Sequence, residues 1–426
     1  MSPMHSTWVR AAASLLFAFS ATQATHARPQ DLEPSALPEA GRSYTLKTLI
    51  RQALGSSPDL LRVQAEAEAA QARLRSARRP ANNPELSAEY ERSDATAFSL
   101  GLSQTLDWHD KRSTRSKVAE SEWAATQTAL EAKTLDLAYA LATKTGDLAT
   151  VHKTLSLARE RVGLMTRILE LAQQRVAAGD AAEPERDLAQ LALSEASLQY
   201  GAQQSELLRH QREFAELAGR ELDYQAQFPK RLASLIDTPP DVLALAREHP
   251  TLRLAHAVAT TARQRVNLAD QDRRPDPTVG VSVGRDAGEG RVAISLSLPW
   301  NVFNDFSDDV AAANSEALAA EQQVQLEERA MAAKITAARA RFNLTAKLWV
   351  QWTKETRGSL DGYLSTLEVQ WNAGEISTSD YLLQVGQALD ARIAEAELHG
   401  NLWTAWIEWL YVSAGLMDWL DNDAKE

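Results

Sequence analysis

The chain has 426 residues, 44 % of them hydrophobic and 24 % charged, so it is neither a disordered polymer nor a bundle of membrane helices. Its net charge of −12 argues against nucleic acid as a partner, because a phosphate backbone needs a basic surface; such a charge serves either solubility or an acidic lining. There is no cysteine, which removes disulfides, thiolate metal sites and a cysteine-anchored lipid.

In chain order, the first expected element is a secretory signal peptide over residues 1–27. A mildly basic start ("MSPMHSTWVR") leads into a short apolar run ("AAASLLFAFSA") and then small residues up to Ala27. The run is too short to span a bilayer, which takes ~20 residues. Residues 28–43, with Pro29, Pro34 and Pro38, read as an irregular arm. No later segment approaches spanning length, so any insertion into a membrane must use strands.

From there the chain is written twice. "SSPDLLRVQAEAEAAQARLRSARRPANNPELSAEYE" has the same order of features as "EHPTLRLAHAVATTARQRVNLADQDRRPDPTVGVSV". "LSQTLDWHDKRS" is answered by "LSLPWNVFNDFS", and the turn at Ala178, Gly179 and Asp180 by Ala373, Gly374 and Glu375. The first copy is expected over 44–236, with a strand pair near 84–106, a long helix 110–177, a tip 178–183 and a return helix 184–218. The second is expected over 237–415, with strands near 277–299, a long helix 304–373, a tip 374–378 and a return helix 379–415. A tail covers 416–426.

The strands show strict alternation. Leu86, Ala88 and Tyr90 alternate with polar residues, as do Phe98, Leu100 and Leu102, then Val279, Val281 and Val283, then Val292, Ile294, Leu296 and Leu298. That pattern makes one apolar and one polar face. It fits either two hairpins lying on a soluble core or the wall of a water-filled membrane barrel. Four strands cannot close a barrel, since the smallest have about 8, so several chains would have to pool theirs.

The proline-free run from Asp110 to Ala177 would extend about 100 Å as a helix. Leu141, Leu148, Leu155, Val162, Leu169 and Val176 recur at sevens, with Val151, Ala158, Met165 and Ala172 between them, which is a coiled-coil seam. Leu157, Leu164 and Leu171 form a second row about 200° round the helix from Leu155. Two seams suit a helix with a neighbour on each flank, although a four-helix bundle also has a wide apolar stripe. In the second copy Met331, Ile335, Ala338, Phe342, Thr345, Trp349 and Trp352 step by fours and threes. Trp403, Trp406 and Trp409 share one helical face and read as core packing in preference to a membrane-interface belt.

No phosphate loop, nucleophile elbow or metalloprotease helix is present, so no enzyme and no cofactor are expected. His249 and His256 could share a helix face; a solvated or core role is the simpler reading. Asp107, His109 and Asp110 crowd one strand-to-helix junction, and Asp308 and Asp309 the other. Negative charge is favourable at a helix start, and Asp110 stands nearest it; a ring of such junctions at a pore mouth is the alternative. Glu185 and Asp380 each follow their tip glycine by the same interval. They suit the first turn of a helix or an acidic ring that selects cations.

With these features together, the chain resembles the TolC-like outer-membrane efflux proteins, from about Tyr44 to Gly415. "NPELSAEYE" and "SQTLDWHDKR" look most like the branch serving cobalt–zinc–cadmium-type cation efflux. The resemblance implies a mainly α fold with a small β part: a homotrimeric α/β-barrel duct. Four strands per chain would enter a shared 12-stranded barrel among outer-membrane lipids, and coiled-coil hairpins would form an α-barrel in the periplasm. The implied partners are a periplasmic membrane-fusion adaptor and an inner-membrane resistance–nodulation–division pump. Ala178, Gly179, Asp180, Ala373, Gly374 and Glu375 would be the tips that meet the adaptor. Glu185 and Asp380 would be lumen or gate acids, and Trp371 a gate aromatic. Ile376 and Leu383 depart from a known gate pattern, standing where a basic and a second acidic residue can occur. Within the family, a duct for organic drugs or for type I secretion of polypeptides is the alternative to cation export; a soluble periplasmic coiled-coil scaffold or adaptor is the rival from another class.

Overall fold

The computed structural model describes residues 46–92, 96–219, 228, 235–236, 239–286, 288–355 and 357–421. The expected signal peptide and arm lie outside them. The first half runs α1 (Leu46–Ser56), α2 (Pro58–Ala77), β1 (Glu85–Arg92), β2 (Thr96–Thr105), α3 (Lys111–Ala178) and α4 (Glu183–Ala218). The second runs α5 (Val242–Glu248), α6 (Pro250–Asp272), β3 (Thr278–Asp286), β4 (Glu289–Ser297), α7 (Ser307–Glu355), α8 (Arg357–Asn372) and α9 (Thr378–Val412). The fold is mainly helical with one small antiparallel sheet.

Two boundaries differ from the sequence reading. The stretch expected as one helix over 304–373 begins at Ser307 and is described as α7 and α8 on either side of residue 356, which lies outside the described residues. The expected tail begins with a helix, α10 (Leu416–Asp421). Its Leu416 and Leu420 are fully buried, and Arg51 donates to the Leu420 carbonyl from Nε at 3.0 Å and Nη2 at 2.7 Å. The segment is short and its apolar spacing is that of a single turn pair, too little to stand out in sequence.

The strands pair in the order β1-β2-β3-β4, all antiparallel. Register aligns Leu86, Leu102, Val281 and Ile294 in one row and Ala88, Leu100, Val283 and Val292 in the next. Tyr90 meets Phe98, and Val279 meets Leu296. These side chains share one face of the pleat, and apart from Ala88 each is a large apolar group left exposed by the chain itself. The opposite face carries the rows Ser87, Gly101, Ser282, Ala293 and Ser103, Gly280, Ser295. An added Cβ at Gly101 would lie 2.6 Å from Ser87 Oγ, and one at Gly280 2.5 Å from Ser295 Oγ. The small face is therefore also the crowded one.

The first seam of α3 is largely filled inside the chain, and the second only in part, since Leu164 is half-buried and Leu171 exposed. Val151, Ala158, Met165 and Ala172 are buried, as are Leu141, Leu148 and Leu169 on the first row and Leu157 on the second. α4 and α9 pack on α3 over its lower part; α2 and α6 pack on its upper part. A large core ties α1, α3, α4, α7, α9 and α10 together at mid-height. Trp403, Trp406 and Trp419 stack edge to face there, with centroids 5.1 to 5.8 Å apart, so the late tryptophans are core residues. His249 is a core residue too. It is buried, its Nδ1 accepts the Thr251 amide at the start of α6, and burial pushes its pKa below the usual imidazole value. His256 on the same helix is exposed, so the two do not form a pair.

Gly146 in the middle of α3 has a packing reason. Trp403, fully buried, donates its indole N–H to the Ala142 carbonyl at 2.8 Å, and a Cβ on Gly146 would fall 2.1 Å from its ring. Gly163, the other glycine of α3, has nothing within 4 Å. Gly146→Ala is expected to lose about 1–3 kcal/mol by overpacking. Gly163→Ala is expected to gain about 1 kcal/mol of helix propensity. Thermal loss of the far-UV helical signal in detergent should fall for the first variant and rise for the second. A higher midpoint for Gly146→Ala would show that Trp403 moves aside freely.

Candidate functional site

The two turns at the far ends of the long helices are built alike. At the end of α3 the Gly179 amide donates to Val176 O at 3.1 Å and the Asp180 amide to Arg175 O at 2.8 Å. At the end of α8 the Gly374 amide donates to Trp371 O at 3.0 Å and the Glu375 amide to Gln370 O at 2.9 Å. Both are Schellman closures, with glycine in the left-handed region (φ 82° and 74°) where a Cβ would be strained. Ala178, Gly179, Asp180, Ala373, Gly374 and Glu375 are all exposed, so each tip presents backbone and one carboxylate to its surroundings.

The return helices start differently. α4 has Pro184 in its first turn, with Glu183 and Glu185 beside it. α9 has a serine N-cap, in which Ser377 Oγ accepts the Asp380 amide at 3.1 Å and donates to Asp380 Oδ2 at 2.7 Å. Asp380 is exposed apart from that bond.

The tips are joined to each other. Arg175 donates from Nη2 to the Trp371 carbonyl at 3.1 Å, and its guanidinium lies 5.1 Å from the Trp371 ring centre. Trp371 is 2 % exposed and stacks on Tyr381 at 4.5 Å with planes 5° apart. Thr378 Oγ1 accepts the Trp371 indole N–H at 3.4 Å and donates to Glu185 Oε2 at 2.8 Å. A chain of contacts thus runs from the first hairpin through Trp371 and Thr378 back to the first hairpin. Below it, Met165, Ile168, Leu169, Ala189, Leu367, Val385 and Leu389 form one apolar cluster across α3, α4, α8 and α9.

Trp371 therefore stands elsewhere than a lining aromatic would. Within the chain it is a buried joint between hairpins, because its helix face turns toward α9 and Arg175 covers its ring. Glu185 is half-buried and bonded to Thr378. Arg175, Thr378 and Tyr381 complete the joint and have no signal of their own in sequence, since their partners lie far along the chain.

At the strand-to-helix junctions the helix start is held by a different acid from the one expected. Asp107 Oδ1 accepts the Lys111 amide at 2.6 Å and Oδ2 the Arg112 amide at 2.7 Å. Asp110 adopts a left-handed conformation (φ 55°) and makes no capping bond. In the second copy Phe306 takes that conformation (φ 57°), and Asp305 Oδ1 accepts the Ser307 hydroxyl at 2.7 Å and amide at 3.1 Å. Those bonds hold the Asp305 carboxyl below the usual carboxylate range. Asp308 and Asp309 are exposed in the first turn of α7. Among the described residues no group of three histidines or carboxylates is placed to hold a metal ion. The copies are tied here by Lys111 and Asp276, 3.1 Å apart, and by the hydroxyls of Thr105 and Thr278 at 2.8 Å. Trp108, Trp300 and Phe303 stand exposed just beyond the sheet, an aromatic set that the sequence reading missed.

The joint has a direct test. Arg175→Ala and Thr378→Val each remove about 1–2 kcal/mol of hydrogen bonding between hairpins. Amide hydrogen exchange over residues 365–385 should speed up severalfold in each variant, while that over the mid-height core stays unchanged. Unaltered exchange near the tips would mean that the apolar cluster alone holds them.

Against known proteins, residues 49–220 match the family model described as outer membrane efflux protein. No curated protein sequence gives a significant match. Solved structures match over most of their length. The CmeC outer membrane channel of Campylobacter jejuni has 16 % identity and a TM-score of 0.74, covering 87 % of this chain and 85 % of that one. CusC, whose structures concern transmembrane channel formation, has 16 % identity and a TM-score of 0.71, covering 87 % and 92 %. The MtrE outer membrane channel of Neisseria gonorrhoeae, in its open state, has 18 % identity and a TM-score of 0.64, covering 86 % and 89 %. The chain has the fold of these outer-membrane channel proteins.

Proposed function

We propose that the chain is an outer membrane efflux protein of the TolC-like kind, the passive outer-membrane duct of a tripartite efflux system. One observation carries the reading: at every level the chain is an open arc of four elements. The sheet is ordered β1-β2-β3-β4. Beneath it α2 packs on α3, α3 on α6 and α6 on α7; lower still, α4 packs on α3, α3 on α9 and α9 on α7 and α8. The two edges are always the same, with β1, α2 and α4 on one side and β4, α7 and α8 on the other. Such unlike edges join head to tail, and a rotation that closes makes a ring.

The edges are apolar where they would meet. Leu188, Leu191, Leu198 and Leu208 are exposed on α4, and Leu344, Leu348, Val350 and Val369 on α7 and α8. Leu208 and Leu344 stand almost equally far, in residues, from Gly179 and Gly374, so the stripes face at matching heights. Two chains would supply eight strands, whose interior side chains fill the space; three supply twelve and leave a channel. The strands have 8 to 10 residues, near the ~9–11 a tilted membrane strand needs. Their apolar face would meet lipid, with aromatics at both margins. No described helix is long and apolar enough to cross a membrane.

On this reading the hairpins form a periplasmic tube closed at the tips. The tips meet a periplasmic membrane-fusion adaptor, which couples the duct to an inner-membrane pump of the resistance–nodulation–division type. Asp380, exposed beside its tip, faces the lumen, and the Trp371 joint keeps the second hairpin against the first. Asp380→Asn keeps the cap acceptor and removes the charge. A detergent-stable trimer in planar bilayers should lose part of its cation preference in this variant, with conductance otherwise similar. Unchanged selectivity would take Asp380 out of the lining, and a monomer without conductance would overturn the duct.

For the cargo we infer divalent heavy-metal cations of the cobalt, zinc or cadmium kind, from the likeness of "NPELSAEYE" and "SQTLDWHDKR" to that branch. Loss of the gene should lower tolerance of zinc, cobalt or cadmium by severalfold and leave tolerance of a panel of organic toxicants unchanged. The reverse pattern would assign the duct to organic compounds.

A further inference from the structure

Where α6 ends and β4 runs on toward α7, a cleft of about 770 Å³ opens. Asp270, Arg273 and Arg274 line it from the end of α6, Leu298 and Trp300 from beyond β4, and Asp305 from the approach to α7. Leu298 and Trp300 continue the alternation of Val292, Ile294 and Leu296, and all five are exposed, so the cleft opens on the apolar side of the sheet. It lies at the margin of that apolar face nearest the helices.

The cleft has a fixed floor and loose walls. Asn301 Nδ2 donates to the Arg273 carbonyl at 2.8 Å, and Arg273 Nε donates to the Asp305 carbonyl at 3.0 Å. The side-chain pairs are long and exposed: Arg273 to Asp305 at 3.4 Å and Arg274 to Asp270 at 3.5 Å. Exposed pairs of this kind contribute little, so a ligand carrying both charges can take their place. Guanidinium groups match phosphate oxygens in a fork geometry. Carboxylates beside them suit an ammonium, and Leu298 with Trp300 suits the start of an acyl chain. A purely anionic ligand would satisfy the arginines and be repelled by both aspartates.

We propose that this cleft holds the headgroup of a zwitterionic glycerophospholipid, an aminoethyl phosphate ester, one per chain. The phosphate sits between Arg273 and Arg274 and the ammonium between Asp270 and Asp305. The proposal rests on the reading of the sheet as a membrane wall. Native mass spectrometry of the full chain, purified in detergent and incubated with dioleoylphosphatidylethanolamine or dioleoylphosphatidylglycerol, tests it. The ethanolamine lipid should be retained about tenfold better, at up to one per chain. Arg274→Gln should weaken retention of both lipids, and Asp270→Asn should weaken only that of the ethanolamine lipid. Equal retention of the two lipids by the unaltered chain, or no change in Arg274→Gln, would overturn the site. Both variants change exposed side chains, and helical content verifies their folding. Oligomeric state and conductance of the same preparation separate the two ideas: a conducting trimer without lipid preference removes the cleft alone, whereas a non-conducting monomer removes the duct.

Discussion

The organising constraint is a four-stranded sheet that, among the described residues, is open at both edges and bare on one apolar face. Its four strands expose an apolar face, and β1 and β4 each have a neighbour on only one side. In water the apolar face is a liability, and in lipid an open edge leaves backbone donors and acceptors unmet at several kcal/mol each. Closure with other chains, as proposed, answers both. The helices below inherit the same requirement, because each strand pair is continuous with one long helix, and the arc of strands becomes an arc of helices with the same open sides.

That continuity depends on two short junctions. After β2 and again before α7, a residue in the left-handed conformation turns the chain, at Asp110 and Phe306. A nearby carboxylate then gathers the free amides of the helix start, Asp107 in one copy and Asp305 in the other. Duplication preserved the geometry of the bend and let the residues at it diverge. Of the junction acids expected there, Asp107 is used by the backbone, where an anion at a helix N-terminus is favourable, whereas Asp110 makes no cap bond and Asp308 and Asp309 stay exposed.

What could be read from sequence was what repeats along it. The heptads of α3 predicted a helix from Asp110 to Ala177, and the helix runs Lys111–Ala178. The strand alternation predicted one apolar face, and register aligns it row by row. What stayed hidden depends on contacts between distant segments. Trp371 looked like an aromatic for a constriction, but Arg175 and Tyr381 enclose it, and only the packing of the two hairpins brings Arg175 to it. Gly146 gives no sign of its role in sequence, because the Trp403 ring that fills the space above it comes from α9. The short helix α10 has too few residues for a period to be seen.

The tips bring these points together. Their closures are the same hydrogen bonds, yet Arg175 near the first reaches across to Trp371, while Gln370 holds the corresponding place in the second. The first return helix opens with Pro184 and a carboxylate already used by Thr378; the second opens with a serine cap that leaves Asp380 exposed. A ring made from three such chains has tips of two kinds in alternation, one carrying Asp180 and the other Glu375 at its turn. A partner that docks on that ring meets the two kinds in unlike settings. The joint between them lies within each chain, so a force that spreads the second hairpin works first against Arg175, Trp371 and Thr378.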